Sequence, residues 1–234
     1  MLPSQAPELN LLSFDQLEVL RRFSSPTIAN AIETFSIRPR LEGVTDARFR
    51  CLFPGLGPVV GYACTATILS GQPAPNPRQV SRKTYWEYTR DFPGPRLTVV
   101  QDLSETPGGA YWGEVNANIH LALGSQGVIT NGTVRDLDEV CLSGFHFFAG
   151  GVQVSHGYAH LEEFNRPVRV FGMLVHPGDL IHADKHGAVV IPSQIVNELA
   201  DAAREIERRE KPMLEACRAP NAIDELDKLI PSEY

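Results

Sequence analysis

Arg135 and Asp136 stand side by side in the stretch ITNGTVRDLDEV (129–140), directly after an apolar run. A guanidinium can hold a carboxylate or a carbonyl oxygen in a two-pronged grip. A neighbouring carboxylate is a hard oxygen donor suited to Mg²⁺ or Mn²⁺, directly or through water. Twenty residues separate Arg135 from another acid, Glu114, which follows Gly113. Gly108, Gly109 and Gly113 would let the backbone approach a ligand closely. The N–H groups of Gly113, Glu114, Val115 and Asn116, at a predicted helix start, favour an anion such as a carboxylate. The set suits an anionic, oxygen-rich small substrate with a divalent ion.

The same residues have a plainer reading. Asp136-Leu137-Asp138-Glu139 has the form of a helix cap with an acid three residues on. Glu114 would then answer a helix dipole, and Arg135 would be a surface charge.

The predicted elements bring these residues together. RLTVVQDL (96–103) reads as a strand, SETPGGAYW as a loop, GEVNANIHLALGSQG (113–127) as a helix and GVITNGTV (127–134) as the next strand. A helical crossover is how parallel strands are joined. The helix runs back about 18 Å at 1.5 Å per residue, and the second strand returns roughly 20–25 Å. Glu114 therefore meets Arg135 and Asp136 at the carboxyl edge of the sheet, where open α/β sheets bind ligands.

Around this unit, Ser13-Phe14-Asp15-Gln16 resembles a capping box, and Ser25-Pro26 offers a cap and an N1 proline for a second helix. Residues 36–56 read as irregular and 58–69 as a strand. Residues 71–79 form a proline-rich loop, followed by a short helix (SRKTYWEYTRDF). A short helix LDEVCLSG and a strand FHFFAGG follow the central unit. From Val168 three short strands are separated by Pro177-Gly178-Asp179 and Asp184-Lys185-His186-Gly187. A long amphipathic helix (193–217) and a short one (222–230) close a mixed α/β chain.

Other constellations are weaker. His182, Asp184 and His186 have metal-ligand types but flank a tight turn. His156 and His160 are spaced i, i+4, as on a metal-binding helix, yet Gly157 and the lack of a third ligand argue against it. Gly55, Gly57 and Gly61 precede a strand and make no dinucleotide fingerprint. Cys51, Cys64, Cys141 and Cys217 show no CxxC spacing, so neither a disulfide framework nor a zinc site is expected. The net charge of -7 argues against a nucleic-acid partner. No apolar run approaches the ~20 residues of a membrane span, and the N-terminus lacks a signal-peptide pattern. A cytoplasmic protein is expected.

Three stretches carry a family resemblance: PGGAYWGEVNANIHLALGSQGVITNGTVRD (107–136), PVRVFGMLVHPGDLIHADKHGAVVIP (167–192) and SSPTIANAI (24–32). The chain resembles the RraA-like family, which joins the regulator of ribonuclease activity A with 4-hydroxy-4-methyl-2-oxoglutarate aldolases. The first stretch fits its acid after glycine, twenty residues, then Arg-Asp. The resemblance implies one domain over 1–234. Its fold would be a three-layer β/β/α swivelling-type α/β domain, with N-terminal helices (13–35), a core (58–192) and C-terminal helices (193–230). It further implies a homotrimer, or a hexamer of two trimers, with the active site between subunits. The activity implied is a carbon–carbon lyase of the class II pyruvate aldolase type, with oxaloacetate decarboxylation as a side reaction and Mg²⁺ or Mn²⁺ as cofactor. The alternative is a non-catalytic regulator that binds and inhibits a ribonuclease.

Carried over residue by residue, Arg135 would contact the 2-oxo acid and Asp136 would hold the metal, largely through water. Glu114 stands where the family's acid, usually aspartate, positions a water for proton transfer. Gly113 to Asn116, Val115 included, would offer N–H groups to the pyruvyl carboxylate. Two more carboxylates would come from a neighbouring subunit. The early-helix one falls on Asn30, with Glu33 as a substitute, and the late-helix one on Glu210, with Glu207 as rival. Residues 76–94 look elaborated, which implies a different side-chain specificity. A Schiff-base lysine must be desolvated to react. The four lysines, Lys83, Lys185, Lys211 and Lys228, all lie in polar helices or turns, so a divalent ion with Arg135 is the better electron sink.

Overall fold

A computed structural model of the chain describes residues 9–74 and 80–229. The end of the proline-rich loop (75–79) and the two chain ends lie outside the described residues. Two short helices open the chain, α1 (Phe14–Leu20) and α2 (Ser25–Glu33). Ser13 accepts the Gln16 N–H while the Gln16 side chain accepts the Ser13 N–H, which is the capping box expected from the sequence. In α2 the cap is Ser24, whose hydroxyl accepts the Thr27 N–H. Ser25, expected as the cap, is instead the first helical residue. Its N–H donates to Asp184 Oδ2 at 3.0 Å, and its hydroxyl meets His182 Nδ1 at 2.9 Å.

The strands are β1 (Arg50–Cys51), β2 (Val59–Leu69), β3 (Arg96–Asp102), β4 (Ala110–Trp112), β5 (Ser125–Val134) and β6 (His146–Val152), then β7 (His160–Phe164), β8 (Val168–Val170), β9 (Met173–Val175), β10 (Leu180–Ala183) and β11 (Ala188–Ile191). The intervening helices are α3 (Arg82–Asp91), α4 (Glu114–Ala122) and α5 (Leu137–Ser143). The chain closes with α6 (Leu199–Ala216) and α7 (Ala222–Leu229). One sheet runs β1-β6-β5-β3-β2-β10-β11, with β4 added to β5 and β7 to β2. Strands β2, β3, β5 and β6 are parallel neighbours, so β3-α4-β5 is the crossover unit read from the sequence.

The sheet is apolar on both faces. Val60, Tyr62, Cys64, Ala66 and Ile68 of β2 join the core under the helices. Val59 and Ala63, with Leu97, Val99 and Ile129, join a second core under the separate β8–β9 hairpin. These are the three layers, hairpin, sheet and helices. Ten of the eleven β2 residues are buried, because a strand covered on both faces reads as one apolar run and not as an alternation.

Several elements differ from the sequence reading. The loop before α4 contains β4, which pairs parallel with β5. Helix α4 stops at Ala122, and Gly124 takes φ +83° before β5 starts at Ser125. Four strands follow Val168 instead of three, because Phe171 and Gly172 turn the chain at φ 48° and 79°. The helix expected from 193 starts as a single 3-10 turn, and α6 proper begins at Leu199. Residues 36–56 hold β1, which pairs with β6.

Candidate active site

Strand β5 ends at Val134, and Arg135 continues its edge by donating its N–H to the Trp112 carbonyl at 2.9 Å. Asp136 then takes the left-handed conformation, φ 56° and ψ 51°, and makes no side-chain cap bond to its own helix α5. Non-glycine residues adopt this region rarely, with Asp and Asn the most tolerant. The capping reading of Asp136-Leu137-Asp138-Glu139 therefore fails for α5. The Asp136 carboxylate turns to another helix instead, and its Oδ2 accepts the Glu114 N–H at 2.9 Å. It supplies the side-chain cap that α4 lacks, since the α4 cap residue is Gly113, which has no side chain to offer.

Gly113 is required by this approach. A Cβ there would sit 2.4 Å from Asp136 Oδ2 and 3.0 Å from Arg135 Cγ. Gly108 and Gly109 serve a different purpose from the expected one. A Cβ on Gly108 would meet Gly71 Cα at 2.4 Å, and one on Gly109 would meet the His156 backbone at 2.4 Å. They let loops pack on loops, not backbone on ligand.

A cleft of about 240 Å³ opens here. Gly113, Val115, Asn116, Arg135 and Asp136 line it from the β4-α4-β5 side. Arg135 Nε lies 3.6 Å from Asp136 Oδ2, with the two side chains 38% and 36% exposed. Both are thus open to a ligand. By helix geometry the N–H groups of Val115 and Asn116 have no acceptor within α4. The Asn116 side chain donates to the Tyr111 carbonyl at 2.5 Å and fixes the cleft wall. Glu114 is exposed but does not line the cleft, and its backbone, not its carboxylate, is the part held by Asp136.

Sequence reasoning missed the other wall. Arg82 of α3, His156 and His160 line the cleft too. No spacing in the sequence joins these positions to 113–136. The histidines arrive because β7 pairs with the far end of β2, His160 opposite Leu69, and Arg82 arrives with the first turn of α3. His156 and His160 are not an i, i+4 helical pair, since His160 begins a strand. Its Nδ1 lies 2.7 Å from the Tyr158 carbonyl and its Nε2 lies 2.8 Å from Glu162.

Asn30, Glu207 and Glu210 are exposed and Glu33 is half-buried, on the packed pair α2 and α6, and none lines the cleft. Within one chain, Glu210 is not brought to Arg135. Among the described residues no three His, Cys, Asp or Glu side chains form a metal cage.

His182 and Asp184 are fully used by the fold. His182 contacts Ser25 Oγ and the Phe23 carbonyl, and burial pushes its pKa down to about 4. Asp184 accepts the N–H groups of Ser25 and His186. Burial works against its ionisation, but these hydrogen bonds outweigh it and hold the carboxyl below its usual range.

The family model described as RraA-like, Aldolase/RraA, matches residues 26–190. The chain belongs to the RraA-like family. That family holds both aldolases and regulators. An uncharacterized protein of Methanocaldococcus jannaschii is 34% identical over 110 residues, 45% of this chain and 51% of its own length. The chain spans about half the length, or less, of the curated relatives it matches. An uncharacterized protein from Pseudomonas syringae has the same fold, with TM-score 0.73 and 22% identity over 97% of this chain and 99% of its own. So does Streptomyces coelicolor RraAS2, described as an unusual member of the RNase ES inhibitor RraA protein family. Its TM-score is 0.69, with 23% identity over 87% of this chain and 98% of its own. These RraA-like folds share the layered sheet and helices seen here. No helix among the described residues is long and apolar enough to cross a membrane.

Proposed function

We propose that this RraA-like protein is a divalent-metal-dependent lyase that cleaves 4-hydroxy-2-oxo acids to pyruvate and a carbonyl product, and decarboxylates oxaloacetate at the same site. The observation that carries the reading is the turn of Asp136 away from its own helix. A carboxylate held in a left-handed backbone, with Arg135 beside it in an open cleft, is not what a simple helix start requires.

The donor set fits Mg²⁺ or Mn²⁺. Asp136 offers one carboxylate, and Gly113 leaves the space beside it that a side chain would fill. Mg²⁺ keeps several waters and is held by one or two carboxylates plus substrate oxygens, so a sparse set suits it. Bound there, the ion would supply an electrophile for the 2-oxo group. Arg135 holds the 2-oxo acid and shares the negative charge that develops on its oxygen. The N–H groups of Val115 and Asn116 orient the carboxylate. In cleavage, the retro-aldol direction, the C3–C4 bond breaks, the C4 hydroxyl gives up its proton, and C3 gains one. Glu114, exposed and tied to Asp136 through its backbone N–H, is the residue that moves these protons through water. In oxaloacetate, CO₂ leaves and C3 again gains a proton, so one site serves both reactions.

A homotrimer, or two trimers stacked, belongs to this reading. Glu210, with Glu207 as rival, is exposed away from its own cleft, and a neighbouring copy would bring one of them to the site. Asn30 cannot supply the carboxylate expected at its position. The test is a pyruvate-release screen over 4-hydroxy-2-oxo acids and oxaloacetate, before and after chelation. Metal-dependent release supports the reading. No release from any substrate, together with stoichiometric capture of a ribonuclease, would replace it with the regulator reading.

A further inference from the structure

Two histidines line the cleft, and they are held differently. His160 is turned into the protein, its side chain 4% exposed and both ring nitrogens against acceptors, the Tyr158 carbonyl and Glu162. His156 is exposed. Its Nδ1 lies 2.9 Å from the Gly157 carbonyl. A carbonyl can only accept, so Nδ1 carries the proton, and the contact orients the ring. Among the described residues the ring makes its hydrogen bond through Nδ1, which leaves Nε2 for a ligand.

The loop that carries His156 is fastened to the cleft wall. The Ala110 N–H, at the start of β4, donates to the Ser155 carbonyl at 2.8 Å, and the Gly157 N–H donates to Ser155 Oγ at 3.0 Å. Gly157 takes φ 52°, and a Cβ on it would meet the Gly108 carbonyl oxygen at 2.4 Å. With Gly109 against the His156 backbone, three glycines let this loop lie directly on the chain that leads into Gly113. The backbone is thus fixed while the imidazole stays exposed, so core packing does not explain a histidine here.

The reaction needs a group of this kind. Arginine does not give up its proton in proteins, so Arg135 cannot supply the one that C3 gains. Asp136 accepts the Glu114 N–H and, on the lyase reading, holds the cation. Glu114 does not line the cleft and acts through water. Histidine is the side chain that both gives and takes a proton near neutral pH.

Resting on the lyase reading, we propose that His156 is a further catalytic residue, the acid that protonates C3 through Nε2. When the C3–C4 bond breaks, its electron pair passes to the pyruvyl fragment, which becomes an enolate. The pair returns to C3 and forms the new C–H bond with the Nε2 proton. The ring, now neutral, takes a proton from solvent. In cleavage of a 4-hydroxy-2-oxo acid the C4 hydroxyl proton returns to solvent through Glu114, so no net proton is consumed. In decarboxylation one proton is taken up for each CO₂ that leaves.

The test is exchange of the pyruvate methyl hydrogens for deuterium in D₂O with Mg²⁺, followed by proton NMR. It reads the C3 proton transfer alone, with no carbon–carbon bond broken. His156→Gln should slow exchange about a hundredfold, while calorimetry finds the Kd of pyruvate with Mg²⁺ within about twofold of wild type. In His156→Ala, added imidazole should restore exchange in proportion to its concentration. Exchange near the wild-type rate in folded His156→Gln overturns the proposal. So does a loss matched by weaker pyruvate binding, or one that imidazole does not restore, since His156 would then bind or position and not transfer the proton. A wild type that binds pyruvate with Mg²⁺ yet exchanges nothing overturns the lyase reading itself, and the proposal falls with it.

Discussion

Asp184 and Asp136 each follow a strand, and each accepts the N–H of the first residue of a helix, Ser25 of α2 in one case and Glu114 of α4 in the other. Asp184 is 4% exposed and also takes the His186 N–H. Asp136 has a side chain 36% exposed, an arginine beside it and a cleft in front. The same local device closes one junction and leaves the other open. A buried carboxylate with its lone pairs occupied has nothing left to offer a substrate. One that spends a single oxygen on a helix is fixed in direction and still has coordinating capacity.

The two junctions should therefore fail differently. Asp136→Asn keeps a side chain that tolerates the left-handed backbone and can still accept the Glu114 N–H. It removes only the charge. Metal-dependent turnover should fall on the order of a thousandfold, the loss of about 4 kcal/mol of charge stabilisation, with little change in melting temperature. Retained turnover would make Asp136 a second Asp184.

Asp184→Ala should do the reverse. It leaves the Ser25 and His186 N–H groups without their acceptor, at about 2–4 kcal/mol in total. Chemical denaturation should record that loss, while the folded variant keeps its kcat. A fall in kcat without a fall in stability would place function at the closed junction.

A smaller effect distinguishes the junctions by pH. His182 sits at about 4 in the folded protein, against 6.5 ordinarily. The unfolded chain takes up this proton first as pH falls. The stability is thus fully present above about pH 6.5 and is lost progressively toward pH 4. His120 and His146, also pushed down to about 4 by burial, act with the same sign. The depressed Asp184 carboxyl adds a loss at still lower pH, as its folded-state value is crossed. Thermal unfolding should show about 1–2 kcal/mol lost per buried histidine at pH 5. A stability that is flat between pH 7 and 5 would contradict the buried, neutral state of these rings.

Local signals made much of this fold legible. The crossover unit could be placed because its helix and strand periods differ, and Gly113, Glu114, Arg135 and Asp136 fell to one sheet edge by simple lengths. What stayed hidden depends on long-range pairing. Asp184 reaches Ser25 across 159 positions, so the true cap of α2 was misplaced by one residue. Strand β4 is three residues long, too short to show a period inside a glycine-rich loop. Arg82 and His160 reach the cleft only through α3 packing and the β2–β7 pairing. The direction of the Asp136 side chain, on which the functional reading turns, depends on a positive φ that a capping pattern does not announce.

The most direct test of the open junction is Arg135→Lys, assayed for oxaloacetate decarboxylation with Mg²⁺ and for thermal stability. If Arg135 grips the 2-oxo acid, the substitution keeps the charge but removes the planar donor pair. Activity should drop at least about a hundredfold, with an unchanged melting temperature. Near wild-type turnover in the folded variant would contradict the account and leave Arg135 as a surface charge at the end of β5.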